Sequence, residues 1–208
     1  MLAGVAGLAG AAPILSFEYT DLSGSFDVAS GVFDAAAADT AELQTAGDVT
    51  RLADPVDTAH FRNGFVSASA FADVQLTLDV SLIDAITASG VGNILLTDDD
   101  GDTIFGTIDG VFTSGGSGIF FFEGLLSDVG YAGSEFNGTD GGSFDMDLPG
   151  DPPYSGAIVQ LFIVTNSGFF TTNFDGVSVQ VSGEIVPAPG SMALLASAGL
   201  MTLRRRKN

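Results

Sequence analysis

Phe71-Ala72-Asp73-Val74-Gln75-Leu76-Thr77-Leu78-Asp79-Val80 decides the fold class, because Val74, Leu76, Leu78 and Val80 alternate with Asp73, Gln75, Thr77 and Asp79. A period of two puts successive side chains on opposite faces of an extended chain, so one face is buried and the other is wetted. Gly176-Val177-Ser178-Val179-Gln180-Val181 and Phe144-Asp145-Met146-Asp147-Leu148 repeat that logic. The continuous runs Ile119-Phe120-Phe121-Phe122 and residues 157–164 read as strands covered on both faces. Turn residues punctuate the pattern: Asp100-Gly101, Asp109-Gly110, Gly115-Gly116, Asn137-Gly138, Gly141-Gly142, Asn166-Ser167-Gly168 and Asp175-Gly176. The expectation is an all-β fold, an antiparallel, jelly-roll-like β-sandwich in which the 17 Phe residues are the main core filler. Residues 34–43 form the one helical candidate of the body, with Asp34 capping the run Ala35 to Ala38; a loop is the alternative. Residues 46–58, polar and interrupted by Pro55, read as a connection.

Bulk composition narrows the classes. A chain of 208 residues is long enough for one sizeable core, and 46% hydrophobic against 15% charged residues lies outside the regime of disordered chains. Net charge is −20, and four of the six basic residues are the terminal run Arg204, Arg205, Arg206 and Lys207. The body therefore holds only Arg51 and Arg62 against 26 acids and would repel phosphates, which excludes nucleic acid as a partner. With no cysteine there is neither a disulfide framework nor a thiol nucleophile.

Candidate chemistry is sparse. Asp98, Asp100 and Asp102, in Thr97-Asp98-Asp99-Asp100-Gly101-Asp102-Thr103, offer hard oxygens around a glycine bend and are the candidate calcium ligands. The same stretch reads first as a plain hairpin turn that needs no ion, and its spacing is not that of an EF-hand. His60 is the only histidine, so no histidine pair can hold a metal, and its expected role is structural. No Gly-x-Ser-x-Gly elbow presents a serine, and nothing among 26 acids selects a catalytic pair. The expectation is a non-catalytic protein. Exposed aromatics stacking on sugars would make it a carbohydrate-binding module instead, and a secreted hydrolase is the third reading. Asn137-Gly138-Thr139 matches the glycosylation acceptor pattern and is also a common turn.

The two ends differ from the body. Residues 2–12 are small, apolar and uncharged, like the hydrophobic region of a signal peptide, with cleavage expected after Ala11. The basic residues that should precede such a region are expected upstream of Met1. At the other end, Val186-Pro187-Ala188-Pro189-Gly190 is a rigid break, followed by the apolar residues 192–203 and the cluster Arg204, Arg205, Arg206 and Lys207. Twelve residues make roughly 18 Å of helix, short of the roughly 30 Å hydrocarbon core, and the cations favour the cytoplasmic side.

This order of proline motif, short apolar helix and terminal arginines resembles the PEP-CTERM sorting signal of exopolysaccharide-associated bacterial proteins. Alanine at 188 stands where the family name has glutamate. The resemblance covers residues 186–207 and implies export, transient membrane anchoring and processing by an exosortase-type enzyme. The chain thus divides into a signal-peptide remnant (1–12), an acidic β domain (13–185) and a sorting signal (186–208). The expected destination is the cell surface or the extracellular matrix, with extracellular polysaccharide as a partner.

Overall fold

The computed structural model describes residues 12–62 and 73–188. Every regular element among them is a strand: β1 (Leu15–Asp27), β2 (Val32–Ala36), β3 (Ala46–Arg51), β4 (Asp57–Phe61), β5 (Val74–Leu82), β6 (Thr87–Thr97), β7 (Thr103–Gly116), β8 (Ile119–Ala132), β9 (Glu135–Asn137), β10 (Ser143–Asp145), β11 (Tyr154–Val164) and β12 (Phe174–Val186). The all-β, antiparallel character read from the alternating pattern is what the structure shows.

Hydrogen bonding closes the sheet on itself. β1 pairs with β2, β2 with β5, β5 to β8 pair in succession, β8 pairs with β11, β11 with β12, and β12 returns to β1. The closing ladder runs from Leu15 opposite Ile185 to Phe26 opposite Phe174. Neighbours in this ring of eight strands follow one another along the chain, apart from two excursions, β3–β4 and β9–β10. The connectivity is therefore a meander closed by β12 on β1, without the crossing connections of the expected jelly roll. A closed ring has no free edge to template another chain. The exposed edge of the β3–β4 excursion is covered by the turn between β9 and β10: the His60 N–H donates to the Gly141 carbonyl at 2.9 Å, and the Asp140 N–H to the His60 carbonyl at 2.8 Å.

Alternation decides which side chains fill the ring. β5 buries Val74, Leu76 and Leu78 and exposes Gln75 and Asp79. The helix expected over residues 34–43 is overruled by the same rule: Phe33 and Ala35 are buried, Asp34 faces outward and accepts from the Thr77 hydroxyl at 2.6 Å, and the backbone is the ladder between β1 and β5. Phe and Leu runs obey it too. Phe120 and Phe122 are buried while Phe121 is 45% exposed, and Leu161 and Ile163 are buried while Val164 is exposed, so these strands are covered on one face, not two. Other expectations are corrected as well. Asp109-Gly110 lies within β7 and Asp175-Gly176 within β12, where positive φ at Gly176 accompanies an irregular register rather than a turn. Residues 46–58 contain β3 and the start of β4. Phe71 and Ala72 lie outside the described residues, as do residues 1–11 and the apolar segment 192–203 expected to be helical.

Aromatic side chains close both ends of the ring. Between β11 and β12 the chain folds inward at Phe169-Phe170, and Phe170 sits 4.8 Å from Phe112, 4.9 Å from Phe26 and 5.1 Å from Phe120, centroid to centroid. Its φ of 48° is left-handed, a strain of about 1–3 kcal/mol that burial of the ring offsets. At the opposite end, Tyr19 of β1 leads through Phe61 of β4 and Phe136 of β9 to Phe144 of β10, with centroid separations of 6.1, 6.0 and 5.5 Å. Arg51, buried beneath this end, ties the two excursions together by donating to the Asp145 and Ala53 carbonyls at 2.5 and 3.3 Å and pairing with Asp147. Phe170→Ala is expected to lower unfolding free energy by about 3–5 kcal/mol in urea titration, while Phe121→Ala on the outer face costs about 1 kcal/mol or less.

Candidate functional site

The three candidate ligands meet in the hairpin between β6 and β7. Asp98, Asp100 and Asp102 each place a carboxylate oxygen within 4.8 Å of the others, with Asp98 buried, Asp100 exposed and Asp102 between. Alternation sends Asp98 inward at the end of β6, and the hairpin then turns through Gly101 at a φ of 104°. Asp98 uses both carboxylate oxygens on backbone. Oδ1 accepts from the N–H groups of Asp100, Gly101 and Asp102 at 3.1, 2.8 and 2.7 Å, and Oδ2 accepts from Asn137 at 2.9 Å. Asp102 repeats the device from the other strand, its Oδ2 accepting from Ser134 at 2.9 Å and Glu135 at 3.4 Å.

These bonds staple the β6–β7 hairpin to the segment that leaves β8 for β9. Gly133 makes room for it: its φ is 121°, and a Cβ there would fall on the Asp102 carboxylate. Burial is the largest influence on Asp98 and raises its carboxyl above the ordinary value; the N–H of Asn137 opposes the rise and a hydrogen bond with Asp100 adds to it. A cation here would compete with four N–H donors for Asp98 and would be left chiefly with the Asp100 carboxylate and one oxygen of Asp102. The geometry is that of a loop held by its own backbone. The contribution of residues 133–137 had no signal in the sequence, because it comes from tertiary pairing 30 or more residues away.

His60 lies on the outer face of the β3–β4 excursion. Its Nδ1 is 2.8 Å from Asp48 Oδ1, and Arg62 bridges Asp48 at 3.3 Å and Asp140 at 3.7 Å. The His60–Asp48 pair thus joins β4 to β3 within one excursion, and Arg62 links it to Asp140 in the turn of the other. The turn expected at Asn137-Gly138 lies further on: Asn137 is the last residue of β9, paired with Ser143, and the chain turns at Thr139-Asp140, closed by the Gly141 N–H donating to the Gly138 carbonyl at 3.1 Å.

The sorting motif is divided by the boundary of the description. Val186 is the last residue of β12, opposite Ser155 of β11, and Pro187 and Ala188 follow as half-buried chain. Pro189, Gly190, Arg204, Arg205 and Arg206 lie outside the described residues. Among those described, no helix is long and apolar enough to cross a membrane. In comparisons with known proteins, no family model, no curated protein and no solved structure matches this chain.

Asp98→Ala removes the acceptor of four part-buried N–H groups at once and is expected to cost about 2–3 kcal/mol. Millimolar calcium is expected to leave the melting temperature of the unsubstituted protein unchanged in scanning calorimetry; a rise of several degrees would show that the carboxylates take an ion in preference to the backbone.

Proposed function

We propose that this chain is an exported, non-catalytic protein of the cell surface or extracellular matrix, delivered and processed through its C-terminal segment. Val186, Pro187, Ala188, Pro189 and Gly190 would be the motif read by an exosortase-type enzyme. The apolar residues 192–203 would enter the membrane transiently, with Arg204, Arg205 and Arg206 held on the cytoplasmic side. One observation carries this reading: Ile185 is the last buried core residue, and the ladder ends at Val186, one residue before the proline break. Cleavage anywhere in residues 187–190 would leave the ring of strands whole. Likewise Ile14 is the first buried residue, so loss of residues 1–11 would remove nothing from the described core.

In this reading the ring is flattened into two facing layers, a β-sandwich in packing if not in connectivity, and the acidic exterior keeps it dispersed in an aqueous, polysaccharide-rich surrounding. Intact-mass measurement of the mature protein from its native host is expected to give a species that begins near Ala12 and ends within residues 187–190. A full-length tail on a soluble protein inside the cell would overturn it.

Carbohydrate binding is a second reading, favoured by the outer face of β8 and β11, where Phe121 and Phe162 stand 5.4 Å apart with Phe121 partly exposed. Aromatic rings beside carboxylates suit the apolar faces and hydroxyls of sugars. A glycan array should then show binding that Phe121→Ala abolishes, whereas a purely structural role predicts a blank array.

A further inference from the structure

The exterior of the ring is divided by chemistry. Over β1, β2 and β5 the outward positions include Ser25, Asp27, Asp34, Thr77 and Asp79. Over β7, β8 and β11 they include Val111, Phe121, Leu125, Phe162 and Val164, and Leu125 is 70% exposed. These apolar side chains, interrupted by Glu123 opposite Val111 and Asp109 opposite Leu125, make a strip that gains by being covered. A second copy of the chain is a poor cover, since both exteriors carry the same strong negative charge.

The chain itself holds a better one. Residues 192–203 are apolar and end in Arg204, Arg205, Arg206 and Lys207, the only concentration of cations in the sequence. Their path begins in the right place. β12 finishes at Val186 beside Ser155, two residues before Ala157, and Ala157 stands opposite Leu125 at one end of the strip. β8 lies two strands from β12, about 10 Å, and the four residues from Ala188 to position 192 reach about 13 Å. From Ala157 to Val164 the strip is about 20 Å long, and twelve residues of helix measure about 18 Å. The cations would arrive at the far end, at the height of the turn between β5 and β6 that carries Asp84, and Glu123 lies within the strip between Phe121 and Leu125. Among the described residues no cation pairs with either carboxylate.

We propose that residues 192–203 fold back over the outer face of β7, β8 and β11 while the chain is in water, so that the apolar segment and the apolar strip shield each other until a membrane competes for the segment. The shielding does not depend on processing. It would hold for any fate of the tail.

The absence of cysteine makes the test direct. In the full chain, Leu125→Cys is combined with Leu195→Cys, and as a control Asp79→Cys with Leu195→Cys. Asp79 is exposed and stands at the same height on the ring, linked to Leu125 through the pairings with Val91 and Asp109, but on the acidic side. Under mild oxidation without detergent, the first pair is expected to form an intramolecular disulfide at least about tenfold faster than the second, reflecting its higher effective concentration. Replacing the three arginines by Arg204→Glu, Arg205→Glu and Arg206→Glu should slow the first pair toward the control. Equal rates for the two pairs, or disulfide-linked dimers in place of the intramolecular bond, would overturn the proposal. Either result leaves the intact-mass experiment on the mature protein to be read separately.

Discussion

The stability of this protein depends on aromatic side chains meeting inside a closed ring of strands, among the buried Leu, Ile and Val residues of the same core. There is no disulfide, and the described ion pairs lie on or beneath the two excursions. Phe33, Phe112, Phe120, Phe122 and Phe170 are all buried and in ring-to-ring contact, several of them edge to face. Such contacts add about 0.5–1.5 kcal/mol per pair beyond the area they remove from water. The left-handed backbone at Phe170 is the local cost of aiming one more ring at that centre from a loop. The second aromatic chain, from Tyr19 to Phe144, extends the same solution into the excursions and lets two strand pairs that could not fold alone share one interior with the ring.

How much of this was legible in the sequence follows from the range of the forces. Period-two alternation is local, so the strands around Val74–Leu82 and Phe174–Val186 could be recognised from a few residues each. Residues 34–43 misled because an alanine run favours a helix on intrinsic propensity, while the partners that hold Phe33 and Ala35 in a ladder come from β1 and β5. The Phe-rich runs misled differently. A continuous apolar stretch is ambiguous between two covered faces and one, and only the position of β7, β8 and β11 on the exterior resolves it. Closure itself had no local signature, since Leu15 and Ile185 are separated by nearly the whole chain.

The acidic hairpin teaches a related lesson about sites. Asp98, Asp100 and Asp102 were visible as a cluster, and the structure does bring their oxygens together. What the sequence could not display is the use each oxygen is put to. Asp98 accepts four N–H groups, one of them from Asn137, and Asp102 accepts two more from Ser134 and Glu135. Carboxylates at that spacing are as good at organising backbone as at holding ions, and the choice is made by donors from a distant segment. The three cationic or ionisable basic side chains of the described body, Arg51, His60 and Arg62, are likewise spent where the excursions join.

The ladder between the first and last strands sets an order of events for a polypeptide made amino end first. Until residues 174–186 emerge, one side of β1 waits without its companion, and the half-built curved sheet offers an open seam to whatever lies nearby. The ring is therefore closed only when the last strand, residues 174–186, joins the seam opened by the first. A chain interrupted anywhere upstream stays unzipped, with one side of its first strand left open.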